Sequence, residues 1–195
     1  MQLILDGYKG AVQTDGYKAY EALEQTRWIT LLHCMAHARR KFENIKAQYP
    51  QDIPIVLKYF AILYQIEANL KERHASLEEI QKEREEKSVP ILNKIEQWLK
   101  QKSLETTPKS SLGEAISYTL KRWDKLCAYV TNGMYHIDNN PVERSIRPIA
   151  LGRKNWLFIK NDESGEDLAV ISTLIQTCEL LGINPKDWLS KTFSK

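Results

Sequence analysis

The residues best equipped for chemistry lie between Asp138 and Trp156. Asp138-Asn139-Asn140-Pro141-Val142-Glu143-Arg144 leads through Arg147-Pro148 to Gly152-Arg153-Lys154-Asn155-Trp156. Carboxylates hold hard metal ions, and guanidinium or ammonium groups hold phosphate. A purely structural reading fits the same stretch. Asn140 suits an N-cap, and Pro141 suits the first helical position, where a missing N–H is no loss. Glu143 then completes a capping-box spacing and stands four residues before Arg147, a favourable helical pair. Asp138 reads as a residue leading into that helix. Pro148 disfavours helical geometry at Arg147, so the spacing predicts a helix that is short or kinked there. Gly152 to Phe158 combines cations with aromatics, which suits a nucleic-acid backbone or a strand with one wet face.

A second carboxylate, Asp15, ends the strand-like run Ala11-Val12-Gln13-Thr14 and precedes Gly16. α/β proteins often place their chemistry at such strand ends, although a plain turn aspartate fits too. Cys34 and His37 are a weak metal-ligand pair, because no second pair follows and His74 and His136 stand alone. Arg39, Arg40 and Lys41 form a basic cluster near the start of an amphipathic helix, where they could face phosphate or water.

The elements that must position these groups are mostly helical. Tyr17 to Leu23 predicts a short helix, and Trp28 to Leu32 a buried strand. Apolar residues at helical period predict a long helix over 53–73. Ser76-Leu77-Glu78-Glu79 is a capping box opening the next helix, and Pro90 marks a kink or break within it. A second capping box, Ser111-Leu112-Gly113-Glu114, opens a single helix over 112–130 that Asn132-Gly133 stops. Asn161 to Gly165 reads as a loop. Glu166 to Leu181 reads as a helix with Leu168, Ile171, Leu174, Ile175, Cys178 and Leu181 inward, capped by Gly182. Asn184-Pro185 starts a last short helix.

At 195 residues the chain is long enough for one domain, with or without an insertion. Its 43% hydrophobic and 27% charged residues are ordinary for a globular protein. The net charge, 28 − 25 = +3, does not by itself announce a nucleic-acid binder. Three dispersed cysteines suit a reducing compartment better than a disulfide scaffold. No apolar run approaches a membrane span, and no secretory signal opens the chain.

Four patterns stand in order: Gln13-Thr14-Asp15-Gly16-Tyr17, Cys34-Met35-Ala36-His37-Ala38-Arg39-Arg40-Lys41-Phe42, Asp138 to Arg144, and Arg147 to Trp156. Together they closely resemble the transposases of the insertion-sequence 66 family, bacterial enzymes of the DDE type. The resemblance implies an α+β, predominantly helical protein, a ribonuclease-H-like fold interrupted by a helical insertion and lacking its first strands. The implied division is a partial core over 1–50, an insertion over 51–110, a segment carrying the final glutamate over 111–163, and a helical element over 164–195. Asp15 matches the family's second catalytic aspartate and Glu143 its final glutamate, both as ligands of a two-magnesium site. Arg39, Arg40, Lys41, Arg144, Arg147, Arg153 and Lys154 are the implied phosphate contacts.

The implied reaction is hydrolysis of a DNA phosphodiester at the element end, then attack of the freed 3′-hydroxyl on target DNA. Double-stranded DNA is the implied partner, with a full-length transposase or a second copy, in the bacterial cytoplasm near the nucleoid and away from membranes. No residue here matches the family's first aspartate. The sequence therefore predicts a truncated, inactive fragment whose incomplete sheet leaves an open edge. A non-catalytic DNA-binding or regulatory remnant is the alternative, and a helical interaction protein unrelated to DNA a third.

Overall fold

The computed structural model describes residues 7–25, 28–156 and 161–194. It is an α+β chain, mostly helical, in two compact units divided between Asn139 and Asn140.

In the first unit, β1 (Gly10–Thr14) and β2 (Ile29–His33) pair in parallel, with Thr14 opposite His33. A 3-10 segment over Lys18–Gln25 lies between them in the chain, tighter than the helix expected from Tyr17 to Leu23. β2 runs straight into α1 (Met35–Glu43), whose Met35, Ala38 and Phe42 are buried. α2 (Ile53–Glu72) forms where the long helix is expected, and it buries Val56, Phe60, Leu63 and Leu70. Its first turn carries Pro54, and Asp52 takes an ion pair of 2.9 Å from Lys102, which ties its start to a later helix.

Ser76 and Glu79 form the expected capping box at the start of α3 (Leu77–Glu83). The expected break at Pro90 takes a particular form. α3 passes through a π-helical turn, Arg84–Ser88, into α4 (Val89–Glu105), with Pro90 in the first turn of α4. Proline cannot donate to the carbonyl four residues back, and the wider turn lies immediately before it. Arg84 within that turn is 3% exposed. Its guanidinium grips Glu67 of α2 through both oxygens, at 2.8 and 2.6 Å, and also donates to the carbonyls of Tyr129 and Asn132.

The sequence predicts one helix over 112–130; the chain forms three pieces. α5 (Ser111–Leu120) is capped by Ser110, one residue earlier than the expected Ser111, and α6 (Trp123–Cys127) follows a turn at Lys121–Arg122. A 3-10 turn, Ala128–Thr131, then ends at Asn132. At the first break Arg122 leaves helical geometry, and its side chain turns toward β1, as described below. Helices α2, α4 and α5 share one apolar core with β2 and α1, built around Phe42, Phe60, Ile95, Leu99 and Ile116.

The second unit is helical among its described residues. α7 (Asn140–Trp156) continues through Pro148, so the helix does not stop short there, and the strand that is one reading of 152–158 does not form over 152–156, which is helical; Leu157 and Phe158 lie outside the described residues. The bias of Pro148 against helical geometry at Arg147 is a preference, and the helix overrides it. α8 (Asp162–Leu180) begins where a loop is expected. Asn161 accepts from the Ser164 N–H at 2.9 Å, and Asp162 and Glu163 favour the positive helix start.

The inward face expected on α8 is also corrected, since Ile171 is 53% and Leu181 68% exposed while Cys178 is buried. Gly182, at φ +68°, ends α8 as expected, and the Ile183 N–H bonds the Cys178 carbonyl at 2.8 Å. Asn184 then caps α9 (Pro185–Phe193). No helix among the described residues is long and apolar enough to cross a membrane.

Candidate functional site

Two parallel strands pointing the same way bring their carboxyl ends to one edge, and Asp15 stands directly beyond that edge on β1. The Asp15 carboxylate is half-buried, and one of its oxygens accepts from the Tyr17 N–H at 2.9 Å, closing an Asx turn. Gly16 holds φ +81°, a conformation that side chains strain. A Cβ there would also meet the Arg122 Nε at 2.7 Å.

The turn is clamped from α5. The Tyr118 hydroxyl donates to the Asp15 carbonyl at 3.0 Å, and Arg122 donates to the Gly16 carbonyl at 3.1 Å and to the Tyr118 carbonyl at 3.3 Å. The Arg122 guanidinium stacks 4.1 Å from the Tyr118 ring centre, and the Lys41 ammonium of α1 lies 5.0 Å from it. Burial raises the Tyr118 hydroxyl, the Arg122 charge opposes that, and the Asp15 charge adds to it.

The end of β2 is also built. The Cys34 N–H bonds the Thr14 carbonyl at 2.9 Å, and His33 is buried. The segment before α7 is bonded along the same edge: Gln13 donates to the His136 carbonyl at 2.8 Å, and the Met35 N–H donates to the Ile137 carbonyl at 3.0 Å. Asp138, expected merely to lead into the helix, is buried at 9% exposure beside Tyr64 of α2. Burial pushes the Tyr64 hydroxyl up, and the Asp138 carboxylate next to it pushes further. Arg39 lies over the Tyr64 ring at 5.6 Å and pairs with Glu43 at 2.9 Å. Burial raises the Cys34 thiol as well, which makes it a poor thiolate ligand.

The cations divide by unit. On α1, Arg40 and Lys41 are exposed, while Arg39 is engaged with Glu43 and Tyr64. On α7, Glu143 occupies the first turn and Arg144 and Arg147 are exposed. Arg153 and Lys154 fall in its final turns. The structure thus gathers Asp15 and Lys41 around Tyr118 in the first unit, and places Glu143 with the remaining cations along one helix of the second.

Tyr118, Arg122 and Tyr64 were not legible as site residues. The i, i+4 spacing of Tyr118 and Arg122 was visible, but their partner lies about a hundred residues earlier in the chain.

The donors suit a hard divalent cation in kind, because Asp15 and Glu143 offer carboxylate oxygens of the type magnesium takes. Among the described residues no group of three or more histidine, cysteine, aspartate or glutamate side chains could hold a metal ion.

Comparison with known proteins adds one family. The family described as Transposase IS66 family matches residues 1–167. Two uncharacterized proteins of Sinorhizobium fredii are similar: y4jD is 35% identical over 199 residues, and y4hP is 34% identical over 208 residues. A third, y4qI, is 35% identical over 202 residues. Each alignment covers 98% of this chain but 36% to 38% of the relative, so the chain spans well under half the length of these proteins. No solved structure matches the chain.

Proposed function

The chain belongs to the IS66 family of transposases, and from that premise we propose that it supplies part of a DDE-type site for cutting and joining DNA. On this reading Asp15 and Glu143 are two of the site's three carboxylates, and β1, β2 and α1 belong to a ribonuclease-H-like core. The observation that carries the proposal is the setting of Asp15. It is a half-buried carboxylate beyond the carboxyl ends of two parallel strands, with its backbone fixed by Tyr118 and Arg122. That edge is where open α/β sheets bind their ligands.

Divalent metal, magnesium on this reading, supplies stabilisation of the attacking and leaving oxygens in an in-line phosphoryl displacement. The chain's own residues bind and orient. The Asx turn and the α5 clamp hold the Asp15 carboxylate in one orientation before substrate arrives. Arg40, Lys41, Arg144, Arg147, Arg153 and Lys154 contact phosphates, with Arg39 beside them; these contacts give affinity and register without reading sequence. The third carboxylate is assigned to residues outside these 195, in the same polypeptide or in a full-length transposase acting with it. The partner is double-stranded DNA at the element's ends and its target, in the bacterial cytoplasm.

Duplex DNA binding by the 195-residue protein tests this reading. The expected result is binding at low salt that weakens steeply as salt rises and that Asp15→Asn leaves intact. Failure to bind duplex at low salt overturns it.

A further inference from the structure

Tyr17 is 65% exposed, immediately beyond the Asp15-Gly16 turn. A single exposed tyrosine is ordinary; this one is held. Its backbone N–H donates to the Asp15 carboxylate at 2.9 Å, so ring and carboxylate share one local frame. Behind it the turn is fixed by Tyr118 on the Asp15 carbonyl and Arg122 on the Gly16 carbonyl. The Tyr17 ring meets Tyr20 edge-to-face, with centroids 6.4 Å apart and planes at 76°. An edge contact steadies a ring while leaving face area open. Lys41, exposed and 5.0 Å from the ring centre of the Tyr118 that bonds this turn, adds a cation nearby.

An open aromatic face, a fixed backbone and a nearby ammonium are the parts of a single-stranded nucleic-acid contact. The ring stacks a base, and the cation tracks the phosphate chain. A duplex keeps its bases stacked on one another, so such a ring is useful only where a base is unpaired. We propose that Tyr17 is a stacking platform for an unpaired nucleobase, seated beside the Asp15 carboxylate at a frayed or cleaved DNA end. The inference rests on the DNA reading above and deepens it, because it names the form of DNA that this edge takes.

The experiment compares two hairpin oligonucleotides of the same duplex sequence, one blunt and one with a short 3′ single-stranded extension containing 2-aminopurine. Binding is measured at low salt with chelator present, so that cleavage plays no part. The wild-type protein binds the extended hairpin more tightly than the blunt one and quenches the 2-aminopurine. Tyr17→Ala loses about tenfold in affinity for the extended hairpin, together with the quenching, and binds the blunt hairpin as before. Tyr17→Trp retains both. Lys41→Ala weakens both hairpins by a similar factor. Circular dichroism melting establishes that each variant is folded.

If the wild type binds both hairpins and Tyr17→Ala matches it on the extended one, the stacking inference falls while the DNA reading stands. If the wild type binds neither, both fall.

Discussion

Asp15 in the first unit and the helix ends of the second are held by different means. Around Asp15 the holding is tertiary: Tyr118 reaches it from α5 and Arg122 from the turn just after it, and the core formed by β2 and helices α1, α2, α4 and α5 fixes α5 in turn. Glu143 sits in the first turn of α7, a helix whose Val142, Ile146 and Leu151 are exposed. Its neighbour α8 likewise exposes Val170, Ile171 and Leu174. There the visible determinants are local, such as the Asn161 and Asn184 caps and the Gly182 turn. A carboxylate set by long-range contacts is sensitive to substitutions far away in the chain. A helix end set by its own cap responds mainly to changes in that turn.

The contrast can be broken first at Arg84. Replacing it with alanine leaves Glu67 and two buried carbonyls without their partner, and the expected loss is about 3–5 kcal/mol of unfolding free energy. Denaturant unfolding measures it; a loss below about 1 kcal/mol would mean that the buried Arg84–Glu67 pair contributes little to the first unit. Gly16→Ala comes next. The positive φ and the contact with Arg122 predict a cost of about 1–3 kcal/mol and a displaced Asp15 turn. Amide chemical shifts around Asp15 would report that displacement.

A pH effect follows from Cys127. Burial pushes its thiol from an ordinary 9.0 to about 12, with the charges of Glu96 and Asp124 adding to the shift. The unfolded thiol ionises first, so this stabilisation is complete below pH 9.0 and is lost as pH rises toward about 12. Its slope is about 1.4 kcal/mol per pH unit within that window. Cys127→Ala should flatten the alkaline fall in stability by that amount, and an unchanged slope would refute the assignment. The smallest effect belongs to the second unit, where Ile171→Ala on an exposed face should change stability by less than about 0.5 kcal/mol.

The same contrast explains what was legible in the sequence. β1, β2, α2, the Ser76 capping box, the Gly182 stop and the start of α9 follow from local pattern, and they form as expected. The break between α5 and α6 does not, and the Arg122 there bonds the Gly16 carbonyl, a partner that no local pattern reveals. Asp138 looked like a local lead-in for a similar reason: Tyr64, which lies beside it, belongs to a helix read only for its apolar period. α7 and α8 failed in the opposite direction. Pro148 and the Asn161–Gly165 polar run argued against helix, and a well-capped helix start and a tolerated proline outweighed them. At the site, residue types and order pointed to Asp15 and Glu143, while the clamp that orients Asp15 required the fold.

The central claim is that Asp15 and Glu143 act as carboxylates of a DNA-cutting site completed from outside these 195 residues. The most direct measurement is metal-dependent nicking of element-end duplex by this protein, alone and joined to the upstream portion of the y4jD relative. The account predicts nicking by the joined protein only, abolished by Asp15→Asn or Glu143→Gln with DNA binding retained. Nicking by the joined protein that survives either substitution, or by the 195-residue protein alone, would contradict it.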